Sequence, residues 1–171
     1  MTKRNIVLIG LSGCGKSTFA PLLAKALQMD CVDMDAEIVR EAGMPISEIF
    51  ASRGEKAFRD METETARRCA AMDGVIISTG GGVILRPENM EALSATGLVV
   101  FLDRSPDDIV GEDLSDRPLV AADQQKIYRL YEQRIGLYRQ YGEITVQNMG
   151  GIADVAQTLI TRITEDSSWK N

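Results

Sequence analysis

Short runs of apolar residues alternate along the chain with longer segments in which apolar residues recur at helical spacing. Five runs predict β-strands, and they cover residues 6–9, 31–34, 75–78, 98–102 and 143–146. Four of these runs are apolar almost throughout, which is typical of parallel strands that are covered on both faces. The pattern therefore predicts an α/β fold with one parallel sheet.

The segments between the strands favour helices. Apolar residues recur every three or four positions from Phe19 to Leu27 and again from Phe58 to Met72, and Pro87 marks the start of a third helix. Residues 104–121 mix proline, glycine and acids with little periodicity, so they predict a short helix followed by a mobile loop. Residues 165–171 are predicted to form a frayed tail.

Composition narrows the class of protein. The chain has 171 residues, of which 44% are hydrophobic and 26% charged, as expected for one soluble globular domain. No apolar run is long enough for a membrane span, and the N-terminus does not resemble a signal peptide, so we expect a cytoplasmic protein. The net charge of −6 argues against binding to nucleic acid or to acidic membranes.

The chain contains no histidine, which excludes several mechanisms at once. Ser-His-Asp hydrolysis and the histidine-based zinc hydrolases and deaminases all need an imidazole. A general base is therefore expected to be a carboxylate or a lysine, and a metal to be a hard ion such as Mg²⁺. The three cysteines form neither a disulfide framework nor a zinc site, and Cys31 and Cys69 are predicted to be small core residues.

One motif predicts a phosphate site. Residues 10–17, GLSGCGKS, match the P-loop pattern G-x-x-x-x-G-K-[ST] between a predicted strand and a predicted helix. The glycines allow backbone N–H groups to surround an anion, and the helix N-terminus favours the same phosphate. Lys16 would bridge the β- and γ-phosphates, and Ser17 would place its hydroxyl on Mg²⁺. The alternative is a glycine-rich turn with a solvated lysine.

Polar residues at the ends of other strands are candidates for binding the acceptor. Asp33 and Asp35 follow the second strand, where one could serve a metal and the other a hydroxyl group. The alternative is a polar strand end in which an aspartate caps the next helix. The glycines at 80–82 follow the third strand and either let a ligand approach the backbone closely or form a tight connector.

Two arginines are candidates for binding a carboxylate. Arg59 and Glu62 are three residues apart on a predicted helix, so Glu62 can fix a guanidinium that binds an anion. A surface ion pair is the alternative. Arg134 lies within an apolar stripe that includes Ile127 and Tyr138, and it either extends to solvent at the helix edge or faces a bound anion.

Taken together and in order, these motifs resemble those of the shikimate kinase family. The residues that carry the resemblance are 10–18, 33–35, 58–62, 80–82, 117–119 and 134. The resemblance implies a three-layer P-loop kinase fold, with a five-stranded parallel sheet flanked by helices and a mobile lid. It also implies one domain over residues 1–171, with a substrate-binding region at about 35–62 and a lid at about 107–121.

The reaction implied by the resemblance is transfer of the γ-phosphoryl group of ATP to the 3-hydroxyl of shikimate, within chorismate biosynthesis. The implied catalytic residues are Lys16, Asp33, Asp35 and Arg117. The implied nucleotide-binding residues are Gly13, Cys14, Gly15, Lys16, Ser17, Thr18 and Arg117. The implied shikimate-binding residues are Asp35, Arg59, Gly80, Gly81, Gly82 and Arg134, while Ser17 and Asp33 would hold Mg²⁺. A monomer with small-molecule substrates is usual for the family.

The sequence departs from the family pattern at the expected adenine site. Family members usually carry a further arginine ahead of the Arg-Pro-Leu motif, stacked on the base, but residues 107–116 include no basic residue. Residues 147–151, where the family often has base contacts, offer only amides, a thioether and backbone. Together these departures predict weak ATP affinity or use of another nucleotide, and the alternative is that the acidic run is a solvated face with no role. Two alternatives stay open: another small-metabolite kinase of this fold, for gluconate or a nucleoside monophosphate, and a non-catalytic nucleotide- or shikimate-binding module.

Overall fold

The computed structural model describes residues 2–112 and 121–170, with the side chains of residues 121 and 122 left aside. The strands are β1 (Asn5–Ile9), β2 (Asp30–Asp33), β3 (Val75–Ser78), β4 (Gly97–Asp103) and β5 (Ile144–Gln147). The helices are α1 (Lys16–Leu27), α2 (Met34–Ala42), α3 (Ile46–Ala70), α4 (Pro87–Thr96), α5 (Pro106–Gly111), α6 (Ala121–Tyr141) and α7 (Ile152–Thr164), with a short 3₁₀ turn at Val83–Leu85.

All five strands lie in one parallel sheet with the order β2-β3-β1-β4-β5. This confirms the fold class predicted from the apolar runs. The inner strands β1, β3 and β4 are buried throughout, whereas the edge strands β2 and β5 keep partly or fully exposed positions because each lacks a neighbour on one side.

Helices cover both faces of the sheet and so form three layers. On one face, α1 and α7 pack residues such as Phe19 and Leu159 against inward-facing side chains of β1 and β4. On the other face, α3, α4 and α6 bury residues such as Leu93 and Tyr138. A smaller cluster around Ile38 joins α2 to α3, away from the sheet. The fold therefore consists of a sheet covered on both faces and, beside it, a smaller helical region formed by α2 and α3.

Helix α3 is longer than the predicted segment and is interrupted. Gly54 has φ 83° and ψ 169°, so the helical hydrogen bonding is broken there and the part that carries Arg59 begins after it. The predicted apolar stripe also extended to Met72, but that residue lies beyond the helix and is exposed.

The C-terminal segment does not fray as predicted. Lys3 pairs with Trp169 in a parallel bridge, and the Lys3 N–H donates to the Ser168 carbonyl at 2.7 Å. Trp169 is 7% exposed and packs into the cluster below β1. Burial of a large indole stabilises the end of the chain enough to offset the loss of its conformational freedom.

One of the two cysteine predictions is confirmed and the other is wrong. Cys69 is buried on α3, as predicted, but Cys31 is exposed because it lies on edge strand β2. The predicted short helix after β4 is confirmed by α5, whereas Arg117 and most of the predicted lid fall outside the described residues. Within the described residues, none of the helices combines the length and the apolar character that crossing a bilayer requires.

Candidate active site

A cavity of about 450 Å³ lies at the carboxyl ends of the central strands. Its lining joins the loop after β1 to the segments that follow β2, β3, β4 and β5. The predicted site residues among its lining are Gly13, Gly15, Lys16, Ser17, Thr18, Asp33, Asp35, Gly80 and Gly81. Residues separated by more than sixty positions in sequence therefore share one cavity, as expected where parallel strands end together.

The P-loop connects β1 to α1 and supplies backbone donors. Gly15 caps α1 with φ 110°, a left-handed conformation that a side chain would strain. Lys16 is 7% exposed, and its Nζ donates to the carbonyl oxygens of Gly10 at 2.6 Å and Leu11 at 3.1 Å. Its ammonium group is therefore held against the loop that would cradle a phosphate. Cys14 is buried in the core and does not line the cavity.

Asp33 caps the next helix, which is one of the two roles predicted for it, and it also lines the cavity. It is the last residue of β2, and its Oδ1 accepts from the Ala36 N–H at 3.0 Å, so it caps α2. It also lines the cavity together with the Ser17 side chain in the first turn of α1. A hydroxyl and a carboxylate are suitable donors for Mg²⁺, which usually takes one or two carboxylates and completes its shell with phosphate and water. Among the described residues, no group of three or more acidic or cysteine side chains could hold a metal alone.

Asp35 lies two residues further along, in the first turn of α2. Burial raises the pKa of its carboxyl, and the neighbouring Asp33 raises it further, while Lys16 and Arg59 act in the opposite direction. A Cβ on Gly80 would lie 2.7 Å from Asp35 Oδ1, so this carboxylate rests directly on glycine backbone. A carboxylate with a raised pKa next to a cation is a suitable group to accept a proton from a hydroxyl.

Arg59 and Glu62 form a buried pair rather than a surface pair. Their Nη1 and Oε2 atoms are 2.9 Å apart, and the side chains are 12% and 1% exposed. Burial raises the pKa of Glu62, against the lowering effect of Arg59. Arg59 Nε is buried with no hydrogen-bond partner among the described residues, so the guanidinium retains a free donor. A Cβ on Gly82 would lie 2.3 Å from Arg59 Nη1, so a side chain there would displace the guanidinium.

Arg134 reaches the same glycine segment from α6. A Cβ on Gly81 would lie 3.5 Å from Arg134 Nη1, and the buried Tyr138 hydroxyl donates to the Gly81 carbonyl at 2.6 Å. Burial raises the pKa of Tyr138 to about 12, with Arg134 opposing the shift. Arg59 and Arg134 thus approach the glycine segment at 80–82 from different helices, but neither of these arginines nor Gly82 is among the described residues that line the cavity itself.

The sequence did not identify Arg104 as a site residue, and it assigned no individual role to Asn148. Arg104 lines the cavity directly after β4, and its Nη1 donates to the Gly13 carbonyl at 3.1 Å. Asn148 follows β5, and its Nδ2 donates to the Cys14 carbonyl at 2.8 Å. Their position after the last residue of a strand was the signal that could have identified them, because the carboxyl ends of parallel strands line the site.

The fold and the site define a P-loop kinase. A parallel sheet leads from its central strand into a phosphate loop, carboxylates lie at the end of strand β2, and two helices bring arginines beside the glycines after β3. Such a site is suited to transfer a phosphoryl group to a small acceptor held beside the loop.

Comparison with known proteins supplies the family. The shikimate kinase family model matches residues 12–164. Shikimate kinase from Clostridium botulinum is 40% identical over 154 residues, which cover 90% of this chain and 93% of that protein. The chain belongs to the shikimate kinase family, and it is an ATP-dependent kinase.

Two solved structures resemble this fold over almost the whole chain. Shikimate kinase from Acinetobacter baumannii in complex with shikimate has a TM-score of 0.89 and 34% identity, covering 97% of this chain and 96% of that one. A gluconokinase from Sinorhizobium meliloti has a TM-score of 0.64 at 16% identity, over 94% of this chain and 92% of that one. The second likeness concerns the fold alone.

Proposed function

We propose that this protein transfers the γ-phosphoryl group of ATP to the 3-hydroxyl of shikimate, giving shikimate 3-phosphate and ADP. The observation that carries the proposal is the glycine wall at residues 80–82. Asp35 rests on one end of it and two arginines meet the other, while the P-loop lies across the same cavity. Shikimate bears hydroxyls and one carboxylate, so a carboxylate at one end of the wall and cations at the other suit it.

The arginines would hold the substrate carboxylate. Arg59 has a buried donor at Nε without a partner, and Glu62 fixes the guanidinium through Nη1. Arg134 supplies a second cation beside Gly81. Two guanidinium groups held by packing provide a planar, directional site that a carboxylate fills.

Asp35 would orient the acceptor hydroxyl and accept its proton. Phosphoryl transfer depends mainly on positioning and on neutralising charge, so the base need act only as the new bond forms. Lys16 would leave the loop carbonyls and contact the transferred phosphoryl group. Arg117, which lies outside the described residues, stays a predicted catalytic and nucleotide-binding residue.

Mg²⁺ is proposed as the cofactor, held by the Ser17 hydroxyl and the Asp33 carboxylate. When bound, it would neutralise charge on the ATP phosphates. Asp33 Oδ1 accepts from the Ala36 N–H, and Asp33 lines the cavity together with Ser17. Gly13, Gly15 and Thr18 line the same cavity, and we assign them with Cys14, through the backbone of the loop, to phosphate binding.

The remaining predictions concern organisation. We propose one domain over residues 1–171, with a substrate-binding region at about 35–62 and a lid at about 107–121. A cytoplasmic monomer with no nucleic-acid or membrane partner stays a prediction, supported by the net charge of −6. Size-exclusion chromatography with light scattering would test the oligomeric state.

The test is an ADP-release assay with Mg-ATP and shikimate, gluconate, a nucleoside monophosphate or no acceptor. Shikimate-dependent ADP formation, with phosphorus NMR showing a new phosphate ester at the 3-position, is the expected result. ADP formation that depends on gluconate instead would assign another acceptor. Ligand binding without turnover for any acceptor would indicate a non-catalytic module.

A further inference from the structure

Arg104 links the P-loop to the end of α5. It follows the last residue of β4, and its side chain is 19% exposed. Its Nη1 donates to the Gly13 carbonyl and to Glu112 Oε2, both at 3.1 Å. The guanidinium is thus held in a defined position by a carboxylate, beside a backbone that binds phosphate.

Arg104 also stands where two cavities meet. A second cavity of about 350 Å³ adjoins the first, and both are lined by Arg104, Glu112, Asn148 and Gly150. Lys16 and Ser17 line only the first cavity, so the second lies beyond the phosphate-binding end of the site. A nucleotide with its phosphates on the P-loop would extend its ribose and base into the second cavity, past Arg104.

Among the described residues that line the second cavity, Arg104 is the one cation that could contact a base. Besides the four shared residues, its described lining is Asp107, Asp108, Gly111 and Met149, so Arg104 is the basic residue among those described. A planar guanidinium can stack on a heteroaromatic base while its edge stays engaged by hydrogen bonds to the protein. Its ion pair with Glu112 keeps the plane in place before the nucleotide binds.

We propose that Arg104 binds the nucleoside end of ATP and that Glu112 positions it. This inference rests on the proposed function in that ATP is the phosphoryl donor. It assigns to the end of β4 the contact with the base that residues 107–116, with no basic side chain, do not supply.

The test compares two ligands that share phosphates but not the nucleoside. Dissociation constants for ADP and for inorganic tripolyphosphate would be measured by calorimetry on wild type, Arg104→Met and Arg104→Lys, without acceptor. We expect ADP to bind about tenfold more weakly to Arg104→Met, a change of about 1.4 kcal/mol, and tripolyphosphate to stay within about twofold. Arg104→Lys should resemble Arg104→Met, because lysine lacks the planar group. Arg67→Met, which removes an exposed arginine on α3, is the matched control.

Two results would overturn the proposal. Unchanged ADP binding in Arg104→Met would remove Arg104 from the nucleotide site. An equal loss for both ligands would show that Arg104 only holds the P-loop through Gly13.

Glu112→Gln should raise the KM for ATP by a smaller factor and leave kcat and the KM for shikimate unchanged, as expected for a positioning residue. Because the binding measurements need no acceptor, absence of shikimate-dependent turnover in the wild type would count against the proposed function separately.

Discussion

The phosphate side and the acceptor side of the cavity are built in different ways. The P-loop is one continuous segment between β1 and α1, and its conformation is set by local backbone geometry. The acceptor side is assembled from α2, α3, α6 and the glycines after β3. A site made from neighbouring residues can be recognised by a motif, whereas a site made from distant helices depends on how those helices pack.

The two sides also differ in electrostatics. Lys16 is satisfied by carbonyl oxygens of its own loop. On the acceptor side, Asp35 and Glu62 both have raised pKa values because burial disfavours their charged forms. The acceptor side therefore carries buried carboxylates that lower the stability of the fold. A substitution that removes such a charge should lower activity and raise stability.

Removal of the P-loop ammonium should have the largest effect. We expect Lys16→Met to lower kcat by about a thousandfold or more, because a preorganised charge on the transferred phosphoryl group is lost. Thermal stability should change little, since the methylene chain still packs. Steady-state kinetics and a melting curve would check both. Lys25→Met, at an exposed position on the same helix, should keep normal activity, and near-normal turnover in Lys16→Met would contradict the role of the loop.

Replacement of the candidate base should separate activity from stability. Asp35→Asn is expected to lower kcat by about a hundredfold to a thousandfold, because the acceptor proton loses its base. In the folded protein the raised pKa means that ionised Asp35 opposes folding, so this contribution is absent at low pH and grows as the pH rises through the folded-state pKa. Asp35→Asn should therefore melt at a higher temperature than wild type at pH 7.

The stability gain should shrink as the pH falls from the raised folded-state pKa toward the ordinary pKa of an aspartate, and it should be absent below that, where Asp35 is neutral in both the folded and the unfolded protein. Melting curves across pH would show this convergence. Asp30→Asn, at an exposed position at the start of β2, serves as the control and should show no gain. A loss of stability at pH 7 in Asp35→Asn would mean that its charge is well compensated by the arginines.

Disruption of the buried ion pair between Arg59 and Glu62 should weaken the use of shikimate but not of ATP. Arg59→Lys is expected to raise the KM for shikimate by about thirtyfold to a hundredfold and to leave the KM for ATP nearly unchanged, because the fork that binds a carboxylate is lost. Arg59→Ala should also destabilise the fold by about 3–5 kcal/mol, since Glu62 is left buried without its partner.

Two variants sharpen that result. Arg59→Met combined with Glu62→Gln should recover most of the stability without recovering shikimate use. Arg53→Lys, an exposed position on the same helix, should leave both KM values unchanged. Equal effects of Arg59→Lys on both substrates would contradict the division of the site into two sides.

The smallest expected effect concerns the contact between α6 and the glycine wall. Tyr138→Phe removes the buried hydroxyl that donates to the Gly81 carbonyl, so that oxygen loses this donor. We expect a loss of about 1–3 kcal/mol in the free energy of unfolding and about a threefold rise in the KM for shikimate. Urea denaturation and kinetics would measure both, with Tyr141→Phe as the control on the same helix. No change in stability would show that water replaces the hydroxyl.

Much of the sheet and the phosphate side could be predicted from the chain alone. The buried strands follow directly from continuous apolar runs, and their predicted and observed bounds differ by one residue or less. The largest errors fell at the margins, where residues 165–170 pack instead of fraying and Cys31 is exposed. There, long-range pairing or the lack of a neighbouring strand decides the outcome, and neither leaves a local pattern.

The acceptor side shows the same limit. Sequence reasoning named Arg59, Glu62 and Arg134 but could not choose between surface and site, because helical spacing gives a face without saying what covers it. Their position beside residues 80–82 was decided by the packing of α3 and α6 in the core on one face of the sheet. Arg104 was missed because its partner Gly13 lies 91 positions away in sequence.

By itself, the sequence determined the parallel sheet, the phosphate loop and the set of side chains available for catalysis, because these depend on apolar periodicity, glycine conformation and residue chemistry. Only the tertiary structure decided which charges are buried together and which cations face the two cavities. Those properties arise from contacts between elements distant in sequence, and burial then alters the pKa of carboxylates such as Asp35 in ways that no local pattern records.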